Sequence, residues 1–244
     1  MKSLNRSLKR LVRKLGYDVT RYQPRTHPTS KKYALTKDLG IDLVLDVGAN
    51  VGMFARDLKN SGYTGRLISF EPLSKAYAAL ERKAKADSNW QTINMALGSE
   101  DCEQTINISD TDTSSSLLEA TSLAMAAHPQ TRKVSTELIQ VRKLDSIFDS
   151  LNAKGSNIWL KVDTQGYEME VLRGAERSLE SVSLLQLEMA FLPLYDGQTL
   201  FSELYEWVQD HGFRLGSFES MSWHPQTGDL LWLDGIFHRS QSVA

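Results

Sequence analysis

Cysteine is almost missing from this 244-residue chain, with Cys102 as its single example. One thiol closes no intrachain disulfide and builds no cysteine-based metal cluster, and such usage fits a reducing compartment, the cytoplasm. No H-E-x-x-H and no paired Cys/His spacing occurs, which argues against zinc. Asp163, Glu188 and Asp234 have the oxygen chemistry that magnesium favours, yet nothing in their spacing demands it, and no metal is expected. Also lacking is any run near the ~18 apolar residues that a membrane span requires. The N-terminus is basic but has no continuous apolar core of the secretory kind. A strong overall charge is absent too: the net of −2 exerts no global pull toward nucleic acid. With 41% hydrophobic and 24% charged residues the composition is that of an ordinary globular chain, long enough for one large core with an appendage.

The charge that is present is unevenly spread. Residues 1–32 hold ten Lys or Arg against one acid, Asp18, a net of +9, which leaves −11 on the rest. Leu4, Leu8, Leu11, Val12 and Leu15 fall at helical spacing, with Arg6, Lys9, Arg10, Arg13 and Lys14 around them. A basic amphipathic helix of this kind lies on an anionic membrane surface or grips a partner. The plainer reading docks it on its own domain or on a second subunit of a homo-oligomer. Tyr22 to Ser30, with Pro24 and Pro28, reads as an extended connector. Residues 1–40 are therefore expected to form an arm and connector, and 41–240 one domain.

The richest stretch is Leu43-Val44-Leu45-Asp46-Val47-Gly48-Ala49-Asn50-Val51-Gly52, followed by Phe70-Glu71-Pro72. It reads as a buried strand, a glycine turn and a helix start, then a second strand ending in a carboxylate. That layout builds a nucleoside pocket at the carboxyl edge of a parallel sheet. Gly48 and Gly52 are expected to let the backbone approach a ligand, and the first amides of the following helix to point at an anion. Glu71 is placed to accept two hydrogen bonds from a ribose diol. The dinucleotide fingerprint G-x-G-x-x-G is absent, and Asp46 directly before the turn would repel a pyrophosphate. An acid there suits an ammonium and a sulfonium, so S-adenosylmethionine (SAM) fits the charge pattern better. An α/β turn that holds no ligand would use the same glycines.

Beyond residue 41 strands and helices alternate, which predicts a parallel sheet covered on both faces. Strands are expected at 42–47, 66–71, 90–95, 157–162 and 184–187, with a final hairpin near 213–218 and 232–238. Helices are expected at 51–60, 74–86, 166–180 and 200–210. Residues 102–108 and 135–142 read as added strands around an insertion, Thr111 to Arg132, with a short helix at 117–127.

Asp163 ends a strand on the same edge as Asp46, and Glu188 ends the next. Two carboxylates at neighbouring strand ends disfavour joint ionisation, which raises one toward a useful base. Each also has a structural reading: Asp163 as a helix cap and Glu188 as a solvated strand end. Glu168, in a first helical turn, is read as structural. Lys161 is expected to point away from Asp163 and to pair elsewhere. His128 and His224 lie in loops able to cover the pocket, while His211 closes a helix. Ser114-Ser115-Ser116 reads first as a helix cap, and Phe218, Met221, Trp223 and Trp232 as an aromatic platform or a covered edge.

Together these segments resemble the FkbM family of SAM-dependent methyltransferases. The likeness runs from about Ile41 to Arg239. It rests on Asp46 to Gly52, Phe70-Glu71-Pro72, Asn94-Met95-Ala96-Leu97-Gly98, Ser115-Ser116-Leu117 and Val141-Arg142-Lys143-Leu144-Asp145-Ser146-Ile147. Leu160-Lys161-Val162-Asp163, Gly166-Tyr167-Glu168, Val171-Leu172-Arg173-Gly174-Ala175 and Asp234-Gly235-Ile236-Phe237 complete it, and the run from Leu160 to Ala175 is its most specific part. The resemblance implies a Rossmann-like class I methyltransferase fold. Its seven-stranded, mostly parallel sheet would have an antiparallel final hairpin and helices on both faces. It implies O-methylation of sugars, polysaccharides or small metabolites. By that analogy Asp46, Gly48, Asn50 and Gly52 would hold the methionine part of SAM, Glu71 the ribose, and Asn94 with Ala96 the adenine. Gln165 stands where the family often has an acid, so no base role falls on it. The basic arm lies outside the likeness and would suit work on lipid-linked glycans at the inner membrane surface.

Two other classes compete with O-methyl transfer, in which Asp163 and Glu188 are the catalytic candidates. A SAM-holding scaffold without catalysis would dispense with those two acids, which are intact. A dinucleotide oxidoreductase is disfavoured by the glycine spacing. Nucleic-acid methylation lacks both an Asn/Asp-Pro-Pro-Tyr/Phe motif and a basic face outside residues 1–32.

Overall fold

In a computed structural model the described residues are 6–19, 23 and 27–239. Two helices, α1 (Arg6–Lys14) and α2 (Pro28–Asp38), precede the sheet. Then follow β1 (Leu43–Val47), α3 (Met53–Asn60), β2 (Arg66–Phe70), α4 (Ser74–Ala84), β3 (Trp90–Ile93), β4 (Ala96–Leu97) and β5 (Cys102–Ser109). After α5 (Ser122–Ala127) come β6 (Lys133–Arg142), α6 (Leu144–Ile147), β7 (Ile158–Val162) and α7 (Glu168–Arg173). The described part closes with β8 (Val182–Ala190), α8 (Phe201–Asp210), β9 (Phe213–Trp223) and β10 (Leu230–Arg239). Seven strands form one sheet in the order β3-β2-β1-β7-β8-β10-β9, the first five parallel and β10 antiparallel to both of its neighbours. The added strands join no part of it. β5 and β6 pair with each other, and with β4 they make a separate three-stranded sheet.

The central strands are buried on both faces, as apolar runs in a helix-covered parallel sheet must be. Leu43, Leu45 and Val47 point into a core shared with α6, α7 and α8, through Leu144, Leu172 and Leu204. Val44 points the other way, toward Ala55, Leu58 and Leu80 of α3 and α4. That two-residue alternation also decides where the charged strand residues go.

Two expectations shift. Residues 28–30, read as connector, open α2, with Pro28 at a first-turn position where its missing N–H costs nothing. The predicted helix 166–180 stops at Arg173. There Asp145 takes the amides of Arg177 and Ser178, and a Cβ on Gly174 would lie 1.9 Å from the Gly98 carbonyl oxygen. The chain past Gly174 is thus tied to α6 by Asp145 and packed closely against the β4 turn.

Candidate active site

At the carboxyl edge of β1, β2 and β7 a cleft of about 570 Å³ opens, its floor made by Phe70, Met95, Leu97, Ile106 and Leu117. Glu71, Gly48, Asn50, Ala96, Asp163 and Gln165 stand on its walls. The turn after β1 is fixed by Glu71. Its Oε2 accepts the Asn50 amide at 2.8 Å and its Oε1 the Leu73 amide at 2.9 Å. Glu71 thus takes one amide of the turn before α3 and the N-cap amide of α4. Each of its oxygens keeps a further acceptor position for a diol at the cleft. Burial pushes Glu71 up to about 7, against the pull of the two amides.

The glycines serve the chain first. Both adopt left-handed backbone, φ 77° at Gly48 and 78° at Gly52. A Cβ on Gly48 would lie 1.9 Å from the carbonyl oxygen of Asp163, and one on Gly52 would strike Leu80 and Trp90. They bring β1, β7 and α4 together, and Gly48 also stands on the cleft wall. Asn94 also differs from expectation. Its amide donates to the carbonyls of Glu71 and Pro72 at 2.9 Å, so it shapes the turn that carries the carboxylate, and Met95 with Ala96 faces the cleft instead.

Asp46 does not line the cleft. It is fully buried on the α3 face, in register with Lys161 on the next strand. The Lys161 ammonium lies 3.2 Å from Asp46 and 3.3 Å from Asp163, with the Phe54 ring 5.4 Å away. Ser69 donates to Asp46 and takes a hydrogen bond from Trp90 Nε1 at 3.0 Å. The expectation that Lys161 avoids Asp163 fails because residues two apart in a strand share a face. Burial by itself would lower the Lys161 ammonium, but Asp46 and Asp163 outweigh it and raise it above the usual lysine range. The negative groups left facing the cleft are Glu71 and Asp163.

Beyond Asp163 lies a second cavity, about 1040 Å³, lined by Glu188, Asp234, His128, Tyr195, Gln198 and Trp232 among others. The two cavities share Thr113, Asp163 and Gln165. Gln165, in left-handed backbone (φ 56°), is the hub of that wall. Its Nε2 donates to Asp163 Oδ1 at 3.0 Å and to Glu188 Oε2 at 2.9 Å, while its Oε1 accepts the Tyr195 hydroxyl at 3.0 Å. Ser116 donates to its backbone carbonyl. Glu188 is raised well above the usual carboxylate range by burial, then by Asp163, Glu168 and Asp234. Burial first, and then Asp163, takes Asp234 to about 7. Glu168 sits under the wall and accepts the amides of Thr164 and Gly166.

The other candidates sort cleanly. His128 lines the second cavity, whereas His224 takes the amides of Gln226 and Thr227 and closes a turn. Ser114 to Ser116 cap no helix; α5 starts later, with Thr121 capping it. Trp232 faces the cavity, while Trp223 is exposed and Phe218 joins the core around Phe201. Tyr195 was not foreseen, because it sits in the loop after β8, where no sequence spacing marks it. Among the described residues no cluster of His, Cys, Asp and Glu is arranged to hold a metal.

Five parallel strands with a reversed β10, a turn clamped by the carboxylate after β2, and a cleft with an apolar floor define a class I SAM-dependent methyltransferase. The family model of the methyltransferase FkbM domain matches residues 46–215, and the chain belongs to that family. Methyltransferase 1 of Beauveria bassiana (strain ARSEF 2860) is 26% identical over 194 residues, covering 75% of this chain and 76% of that protein. Among solved structures, Streptococcus pneumoniae Sp1610 in complex with S-adenosyl-L-methionine is similar with a TM-score of 0.46 and 13% identity, over 88% of this chain and 74% of that one. M. capricolum TrmK in complex with S-adenosyl-homocysteine gives 0.46 and 10%, over 86% and 69%. The cleft residues fit SAM: Glu71 offers paired acceptors, the floor is apolar, and Asp163 supplies negative charge where the two cavities meet.

Proposed function

We propose that the chain transfers the methyl group of SAM to a hydroxyl of a sugar, polysaccharide or small metabolite, bound in the second cavity. The observation that carries this reading is the shared wall, which puts a carboxylate between a nucleoside cleft and a roomy polar cavity. SAM, when bound, supplies an electrophilic methyl group on a sulfonium. Asp163 would take the proton of the acceptor hydroxyl as that oxygen is methylated. Burial beside Asp163 favours the protonated form of Glu188 and leaves Asp163 as the acceptor. Gln165 fixes both carboxyl groups by one amide, and Lys161 offsets the charge of Asp163 from below. Trp232 provides a face for a sugar ring, and Gln130, Gln198, Ser220 and Ser222 provide hydrogen bonds. No Lys or Arg is among the described lining residues, which favours an uncharged acceptor over a phosphate-bearing one.

The test is methyl-label transfer from SAM into hydroxylated acceptors with Asp163→Asn beside the native chain. The variant should bind SAM within about tenfold of native, the loss of one facing charge, but lose transfer by roughly 10²–10⁴. Undiminished transfer would remove Asp163 from the reaction, and label found on nucleic acid or on amines would overturn the acceptor class.

A further inference from the structure

Outside the site, the least explained surface is α1 with the turn that follows it. Leu11 is 58% exposed, Leu15 70% and Tyr17 72%, an apolar stripe that the body of the protein leaves open. On a helix of 3.6 residues per turn, Leu11, Val12 and Leu15 share one side. Lys9, Arg10, Arg13 and Lys14 fill the remaining arc. The one acid of the segment, Asp18, is paired with Arg13 at 3.1 Å and so adds nothing against an anion.

We propose that α1 and its following turn bind the surface of an anionic lipid bilayer. Leu11, Leu15 and Tyr17 enter the boundary between headgroups and acyl chains, and the basic side chains rest on lipid phosphates. Both halves of the pattern are needed for that choice. A nucleic acid would pair with the cations yet leave the leucines in water. An apolar groove on a protein would cover the leucines but give Lys9, Arg10 and Lys14 nothing that water does not. An anionic membrane satisfies both at once, and it does so whichever acceptor the catalytic site takes.

The full chain is to be sedimented with vesicles of phosphatidylglycerol and phosphatidylcholine, and separately with phosphatidylcholine alone. Binding is expected on the anionic vesicles, weaker on the neutral ones by on the order of tenfold or more, and lost in about 0.5 M salt. Leu11→Asp with Leu15→Asp, and separately Arg10→Glu with Lys14→Glu, should each weaken it on the order of tenfold or more. SAM affinity, measured by calorimetry, should stay unchanged in both and so report intact folding. Failure to bind anionic vesicles, equal binding to neutral ones, or variants that bind like the native chain would overturn the proposal. So would a lipid-free dimer that the double leucine variant abolishes, because the stripe would then belong to a second copy.

Discussion

Glu71 works twice, clamping the turn after β1 through two amides and presenting its free acceptor positions to the cleft. Burial lifts it to about 7, so it changes charge in the ordinary assay range. A ribose diol donates to the carboxylate better than to the acid, so binding favours the ionised form and releases a proton. Affinity for SAM should therefore rise by about tenfold between pH 6 and pH 8. S-adenosylhomocysteine, which carries no sulfonium charge, should show the same slope, since the slope comes from the ribose contact. Glu71→Gln should abolish it and weaken binding by roughly 1.5–3 kcal/mol, the worth of hydrogen bonds to a charged group. Calorimetry across that pH range checks each point, and a slope that survives the substitution would place the titrating group elsewhere. Glu71 was legible in the sequence because a strand-end acid after Phe70 has few other uses. Lys161 was misread by one step of alternation. Tyr195 was invisible because a loop after β8 reaches the site through topology alone.

At the scale of elements, α2 is held to β9 by a buried ion pair, Lys32 to Glu219 at 2.6 Å, with the Lys31 ammonium on the Gly216 carbonyl beside it. Glu219 is almost wholly buried, and burial pushes its carboxyl up. Lys32→Met should cost about 3–5 kcal/mol, the usual result of leaving one buried partner alone. Adding Glu219→Met should recover most of that loss, because two apolar side chains need no solvation. Denaturant titration of the two single variants and the double one measures the coupling, and additive losses would show the pair to be incidental. Strands β1, β2, β7 and β8 were plain from their apolar runs, and the final hairpin from its alternation. The second sheet was half legible: β5 and β6 were seen, but not that they leave the main sheet and, with β4, bring Ile106, Ala96 and Leu97 to the cleft. α2 was missed because Pro28 punctuates a sequence in two ways, as a break and as a first helical residue.

Across the whole molecule charge is sorted, with cations gathered in the arm and acids gathered around one edge of the sheet. Glu71, Glu168 and Asp234 are each lifted to about 7, mainly by burial, and Glu188 is raised well above the usual carboxylate range. A carboxyl raised above its unfolded value binds its proton more tightly in the folded state. Its stabilising share is complete below about pH 4 and is lost as pH climbs through the folded value. Asp18, Asp87, Asp101 and Asp145 are shifted downward, so their share is lost at the acid end, below about pH 4. The interval from pH 5 to pH 8 thus reports the buried, raised acids, with Asp46 and Glu219 adding to those around the cleft. The melting temperature of the ligand-free protein should fall across it by about 5 °C or more, at the usual 2–4 °C per kcal/mol for a chain of this size. Saturating S-adenosylhomocysteine should recover more at pH 8 than at pH 6, because the ligand binds the form that high pH produces. Glu188→Gln should flatten the ligand-free slope, having no charge to bury. Differential scanning calorimetry in matched buffers decides it. A flat or rising melting temperature in the native protein would mean that water reaches these carboxylates, and a wall soaked in water could not keep Glu188 protonated beside Asp163.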